Sequence, residues 1–224
     1  NNKGTVIVKH GNPCGASIHK NNNESFLMAH KCDPISSFGG IVSCNFKINR
    51  SLALKLNRLF FEVIIGNGFE NDALSILKTK KNVRIINSKN YEIFSKNNLI
   101  SNMHFALAQT PDDKKFTISD FKIVSKVRPS RETFENLIFA FNVCRFVKSN
   151  AIVLTNGKST VGIGSGQPSR LDSCEIAIKK MNEFQDISHK KVLAASDAFF
   201  PFIDGVEKLV QNGVSGIIQP SGSI

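Results

Sequence analysis

The chain has 224 residues, 41% of them apolar, enough to bury a core and to form one large domain or two small ones. It carries no signal peptide and no run of about 18 apolar residues, so a soluble, cytoplasmic protein without membrane partners is expected. The net charge of +11 favours anionic partners, phosphates or nucleic acid, although the lysines are spread along the chain rather than clustered.

Val6, Ile7 and Val8 form a short β-branched run, the signature of a buried strand. It ends in Lys9 and His10, and a turn is expected at Gly11-Asn12-Pro13. A lysine and a histidine at a strand end could supply one proton donor and one acceptor, because histidine titrates near neutral pH and lysine shifts its pKa readily when desolvated. After a polar loop over Asn21 to Glu24, Ser25 to Lys31 reads as a helix, with a turn at Asp33-Pro34 and a strand from Ile41 to Ser43. Ser51 to Phe60 reads as a helix, Glu62 to Ile65 as a strand, Asp72 to Leu77 as a helix and Val83 to Ile86 as a strand. This alternation predicts an α/β sheet with helices on its faces.

From Asn90 to Lys126 the periodic signal fades, and a connecting region is expected there. Ser130 is a plausible N-cap, with Glu132 suited to the first turn of the next helix. That helix carries Phe134, Leu137, Ile138, Phe141 and Cys144 at helical spacing, with Phe139, Val143, Phe146 and Val147 on its other sides. It should therefore be deeply buried, ending at Lys148-Ser149-Asn150. A strand over Ala151 to Leu154 meets the hairpin signal Asn156-Gly157. The return strand runs into Gly162-Ile163-Gly164-Ser165-Gly166 and then a helix with Leu171, Cys174, Ile178 and Met181 on one face. Val192 to Ala195 is a strand, Gly205 to Asn212 a helix stopped by Gly213, and Ile217-Ile218 the last strand. A second β-α-β block thus follows the first, without a sequence repeat strong enough to establish duplication. The first residue is Asn1 and the last three are Gly222-Ser223-Ile224, so both ends read as cuts in a longer chain.

Several chemistries are disfavoured. The glycines at 162, 164 and 166 would let backbone amides approach an anion beside Arg170, but the spacing is not the dinucleotide G-x-G-x-x-G and no acidic residue follows at the right distance. Pro13-Cys14 matches half of the zinc-deaminase P-C-x-x-C signature, but position 17 is Ser17, and Gly11 and Asn12 follow His10 where H-x-E is needed. His19, His30, His104 and His189 have no ligand spacing with a cysteine, and no G-x-S-x-G elbow is present. Five scattered cysteines suit reduced thiols better than disulfides. Phe199-Phe200-Pro201-Phe202 is either a stacking wall for a planar ring or an apolar plug under a helix; Asp204 and Asp197 sit where simple caps would.

Four segments together resemble one family: VKHGNPCG (Val8 to Gly15), DPISSFGG (Asp33 to Gly40), VKSNAIV with VGIGSGQPSR (Val147 to Arg170), and ASDAFFPF with IIQPSGSI (Ala195 to Ile224). They resemble the formyltransferase part of the bifunctional purine biosynthesis family, in family order and over nearly the whole chain. Gly11 where alanine is usual and Ile203 where arginine is common are departures. The cyclohydrolase domain, an upstream arginine motif and a basic tail of the family are not in this sequence, so weak activity is expected of these 224 residues alone.

The resemblance implies two cytidine-deaminase-like α/β/α lobes without catalytic zinc, over residues 1–90 and 150–224, joined by a mixed connecting region over 91–149. It implies formyl transfer from 10-formyltetrahydrofolate to the 5-amino group of AICAR, giving FAICAR. In that reading His10 is the base, Lys9 steers or protonates the departing folate nitrogen, and Asn150 donates to the formyl oxygen. Phe199, Pro201 and Phe202 pack on the ligands, Asp204 meets the pterin with Ser221 and Gly222 nearby, and Asp33 and Arg170 position the ligands. Ser149 and Asp197 are the candidates for a potassium ion, and a homodimer shares its sites. The alternative is a basic nucleotide- or nucleic-acid-binding module without catalysis, disfavoured by the unclustered charge, a single tyrosine and the lack of tryptophan.

Overall fold

The computed structural model describes residues 2–91, 98–186 and 191–222; His189, Ser223 and Ile224 lie outside them. The first unit runs β1 (Lys3–Lys9), β2 (Asn12–His19), α1 (Asn22–Cys32), β3 (Gly40–Cys44), α2 (Arg50–Asn57), β4 (Phe61–Gly66), α3 (Asn71–Leu77) and β5 (Arg84–Asn87). An exposed hairpin of β6 (Asn98–Ser101) and β7 (Ala106–Gln109) forms its own sheet. The second unit is α4 (Arg131–Cys144), β8 (Ile152–Asn156), β9 (Ser159–Gly164), α5 (Arg170–Phe184), β10 (Val192–Ser196), α6 (Ile203–Gln211) and β11 (Val214–Ile218). Nine strands form one mixed sheet in the order β11-β10-β8-β9-β2-β1-β3-β4-β5.

The order hides a repeat. The strands of each unit begin with an antiparallel hairpin (β1–β2, and β8–β9 after α4); the third strand is antiparallel to the first, and the fourth parallel to the third. The registers coincide: Ile7 opposes Gly15 and Val42, as Leu154 opposes Gly162 and Ala194. Even the irregularities recur, after Ile7 and Leu154 in the first strand and after Gly40 and Val192 in the third. The units join where β2 meets β9, through the Ser17–Ser159 pair; there the Thr160 hydroxyl accepts from the Ala16 amide (2.9 Å) and donates to its carbonyl (3.2 Å).

The same helix seat is repeated as well. A Cβ at Gly15 would overlap the Ala29 carbonyl of α1, one at Gly162 the Ala177 carbonyl of α5, and one at Gly164 the Ser173 carbonyl. The glycines of the 162–166 run thus have two jobs. Gly162 and Gly164 let α5 lie against β9, and only Gly166, at φ 69°, makes a left-handed turn. We expect Gly164→Ala to cost about 3 kcal/mol in urea unfolding, because backbone rather than a flexible side chain must give way. Gly157→Ala meets nothing within 4 Å and should cost only its positive φ of 58°, about 1 kcal/mol.

Two expectations need correction. Gly11-Asn12-Pro13 is not the turn: His10 and Gly11 are, and Asn12 and Pro13 already belong to β2, a strand absent from the sequence reading. Pro13 is tolerated because it pairs with Val8 at the bulge, and β2 pairs with β9 only at Ser17, so no ladder bond is lost on that side. The long helix stops at Cys144, short of Lys148, and is not buried all round. Phe134, Leu137, Ala140 and Cys144 face the sheet, whereas Phe146, past its end, is 66% exposed. Ser130 caps α4 as expected, accepting from the Thr133 amide at 3.1 Å, and Gly213 follows α6 at φ 87°.

One face of the sheet in the first unit packs Ile7, Val42 and Ile64 against α1, α2 and α3 residues such as Phe26, Leu52 and Leu77. In the second unit both faces are covered: α5 and α6 on one, α4 on the other, where Leu137 and Cys144 meet Val153, Leu193 and Ala195.

Candidate active site at one edge of the sheet

The segments after β9, β10 and β11 and before β8 leave the second unit at one edge, because β8 runs against β9 and β10 while β10 and β11 are parallel. β2 runs against β9, so the β1–β2 turn reaches that edge too, as does the 33–39 segment feeding β3. Ligands in open α/β sheets bind outside such strand ends.

His10 (φ 54°) and Gly11 (φ 73°) form the tight two-residue turn. Positive φ at both central positions matches the twist of a hairpin, and glycine accepts it without a Cβ penalty. The turn leaves His10 exposed at the tip of the β1–β2 hairpin. The preceding residue, Lys9, donates through its ammonium to the Phe38 carbonyl (2.5 Å). Asn12 ties this turn to the second unit: its Oδ1 accepts from the Lys148 amide (2.9 Å), and the Lys148 carbonyl accepts from the Gly166 amide (2.8 Å).

Beyond Lys148 a polar cluster closes around Arg170. Its Nη1 bonds Asp197 Oδ1 (2.5 Å) and the Ser196 hydroxyl (2.8 Å), and its Nη2 bonds Asn150 Oδ1 (2.7 Å). Asn150 Nδ2 donates to the Gln167 and Pro168 carbonyls, both at 2.9 Å, so both of its N–H groups are used within the protein. The carboxyl of Asp197 lies below its ordinary value of 3.8: burial pushes it up, and hydrogen bonds from Ser149 and Arg170 more than reverse that. The structure thus brings Ser149, Asn150, Arg170 and Asp197 into one network, one short turn away from Asn12 and His10.

The aromatic run divides its roles. Phe200 is the plug, 9% exposed, with its amide on Gln219 Oε1 (3.0 Å) and its ring where a Cβ on Gly205 would fall. Phe199 flanks Gly222, while Pro201 and Phe202 are exposed, Phe202 at 73%. Asp204 is not the cap of α6: Phe202 holds that position, and Asp204 lies in the first turn accepting from the Gly205 amide (2.7 Å). Ser221 and Gly222 are exposed at the same edge.

Asp33 sits differently. It is 4% exposed, its Oδ1 accepts from the Ser36 amide (2.9 Å), and its Oδ2 is paired with Lys180 of α5. Burial raises this carboxyl, and the bonds from Lys180 and Ser36 outweigh the burial and hold it below 3.8. Nothing in the sequence singles out Lys180 or Asn12: the first is one of two adjacent lysines on its helix, and the second reads as a turn residue. The cysteines are buried, and burial pushes the Cys14 thiol up to about 11, so it is no nucleophile near neutral pH. No cluster of three or more metal-binding side chains occurs among the described residues. Two surface cavities, of about 460 and 510 Å³, lie away from this network, the first lined by Phe60, Glu62, Lys81 and Arg84 and the second by Phe116, Glu135 and Lys158.

Asp33 and Asp197 give a pH dependence with a definite sign. Both are lowered in the fold, so their stabilisation is complete above the unfolded carboxyl value and is lost as pH falls through the folded ones. Urea midpoints are expected to be level near neutrality and to decline below about pH 5, with a shallower decline in Asp33→Asn.

Fold and edge together define an α/β protein built from a repeated unit, with a basic hairpin facing a buried arginine–carboxylate network. The profile of the AICARFT/IMPCHase bienzyme family matches residues 1–180, and the chain belongs to that family. The "Bifunctional purine biosynthesis protein PurH" of Leptospira biflexa is 42% identical over 219 residues, covering 97% of this chain and 42% of that protein. Its namesake in Limosilactobacillus reuteri is 39% identical over 222 residues (98% of this chain, 43% of the relative), and that of Prochlorococcus marinus 40% over 222 (98% and 42%). The chain therefore spans less than half the length of these relatives.

Proposed function

We propose that this chain carries formyl transfer from 10-formyltetrahydrofolate to the 5-amino group of AICAR, giving FAICAR, and that its two units are cytidine-deaminase-like lobes without catalytic zinc. Family membership supports the activity, and the observation that carries the site is the Asn12–Lys148 bond, which docks the His10 turn against the Asn150–Arg170–Asp197 network. An aromatic amine is a weak nucleophile, and a base must take its proton as it attacks the formyl carbon. His10 is exposed at the β1–β2 turn and fills that role; Lys9, the preceding residue, with its ammonium tethered at Phe38, serves the folate nitrogen as it leaves. Asn150 orients Arg170 through Oδ1; it becomes an oxyanion donor only if one of its bonds to Gln167 or Pro168 opens. Arg170 and the exposed Pro201 and Phe202 bind the planar, anionic substrates, with Asp204, Ser221 and Gly222 at the pterin.

A potassium ion does not fit Ser149 and Asp197 as they stand. The Asp197 carboxylate is already paired with Arg170 and takes a hydrogen bond from Ser149, so no step is routed through such an ion. The exposed Ile35, Phe38, Phe202 and Ile203, each at least 64% accessible, support a homodimer whose sites are shared at this edge. The deciding experiment is a folate-dependent assay on AICAR with the full-length protein. FAICAR formation is the expected result; salt-sensitive nucleic-acid binding without turnover would favour the non-catalytic alternative.

A further inference from the structure

Asp33 occupies a costly position. It caps the C-terminal end of α1, where the helix dipole is negative, and its side chain is 5% exposed. Its ionised form needs a cation, and the one that answers comes from the other unit: Lys180 on α5, which also lies 3.4 Å from the Ser36 hydroxyl. Gln185 adds a second tie between the same helix ends, its Nε2 on the Lys31 carbonyl (2.7 Å). From Asp33 the order passes along the chain. Ser36 N–H bonds its carboxylate, Ser37 bonds its carbonyl through both Oγ (2.7 Å) and N (3.1 Å), and Gly40 N–H bonds the Ser37 carbonyl (3.0 Å). That compact turn aims the Phe38 carbonyl at the Lys9 ammonium.

We propose that Lys180 is a positioning residue: by keeping the buried Asp33 paired across the two units, it fixes the 33–39 turn and, through Phe38, the place of the Lys9 ammonium. Asp33 then acts inside the protein rather than on a ligand. The inference rests on the reading that Lys9 belongs to the site. Lys180 itself touches no reacting atom, so its removal should slow the chemical step more than it weakens binding.

The test uses the full-length protein with Lys180→Met, Lys180→Arg and the double variant Asp33→Asn/Lys180→Met. Lys180→Met is expected to lower kcat about 10- to 100-fold with the KM for AICAR within about twofold, and Lys180→Arg to recover most of kcat. The double variant, which buries no lone charge, should lose no more than Lys180→Met; it serves alone if the single variant does not fold. A second readout needs no activity. In reductively 13C-methylated protein, the Lys9 resonance, assigned with Lys9→Arg, should shift in Lys180→Met and in the double variant and return in Lys180→Arg. A parent-like kcat with an unmoved Lys9 resonance in the double variant overturns the proposal. So does an equal loss in Lys180→Met and Lys180→Arg, which marks a merely structural role. A moved Lys9 resonance in a protein that never forms FAICAR upholds the positioning and overturns the formyl-transfer reading instead.

Discussion

Replacing His10 by alanine in the full-length protein is expected to lower formyl transfer about 10²- to 10⁴-fold while the fold survives, the range a positioned general base contributes. The fold survives because His10 is exposed at the tip of the β1–β2 turn, outside every core cluster. Alanine at φ 54° has a cost of its own, about 1 kcal/mol for a left-handed residue. His10→Asn separates the two effects, because asparagine accepts this conformation more readily and cannot act as a base near neutral pH. Both variants should lose activity alike, and only His10→Ala should lose measurable stability. Turnover by His10→Asn within tenfold of the parent removes His10 from the base role.

The place of His10 at the end of a strand is legible in the sequence. A β-branched run ending in Lys9-His10 identifies a strand end, and strand ends bear ligands. The helices with good caps or strong periodicity, α4 after Ser130 and α5 with Cys174 and Met181 inward, were legible for the same local reasons. β2 was not, because its first residues, Asn12 and Pro13, are turn formers held extended by pairing with β1 and tolerated there because the side toward β9 is open. Local propensity yielded there to tertiary context.

The repeat was illegible for a different reason. Ile7, Gly15, Val42 and Ala29 correspond in place to Leu154, Gly162, Ala194 and Ala177, yet only the hairpin loops match in length; the segments that lead into α1 and α5 differ in length and residue type. What the two units share is pairing register and a glycine beneath a helix, which constrain backbone geometry far more than side-chain identity. The cross-unit ties escaped sequence reading too. Asn12 with Lys148, and Lys180 with Asp33, are 136 and 147 residues apart, and nothing local to either partner announces the other.

Arg170→Met is expected to have the largest combined effect on stability and activity. The guanidinium is 11% exposed and Asp197 17%, and methionine leaves that carboxylate without its countercharge and Asn150 Oδ1 without its donor. Breaking one side of such a buried pair costs about 3–5 kcal/mol. The pH dependence gives the mechanism away. Arg170 gives Asp197 both a hydrogen bond and a countercharge that favour its ionised form, and their loss moves the carboxyl upward from where the parent holds it, so the penalty should be full at pH 7 and shrink as acid protonates the group. Asp197→Asn added to Arg170→Met removes the stranded charge and should recover most of the stability at pH 7 in urea unfolding. It should not recover formyl transfer, because a neutral pair offers no cation to an anionic substrate and leaves Asn150 unoriented. If the double variant regains parental turnover, Arg170 serves only to neutralise Asp197, and ligand binding at this edge must be assigned to other residues.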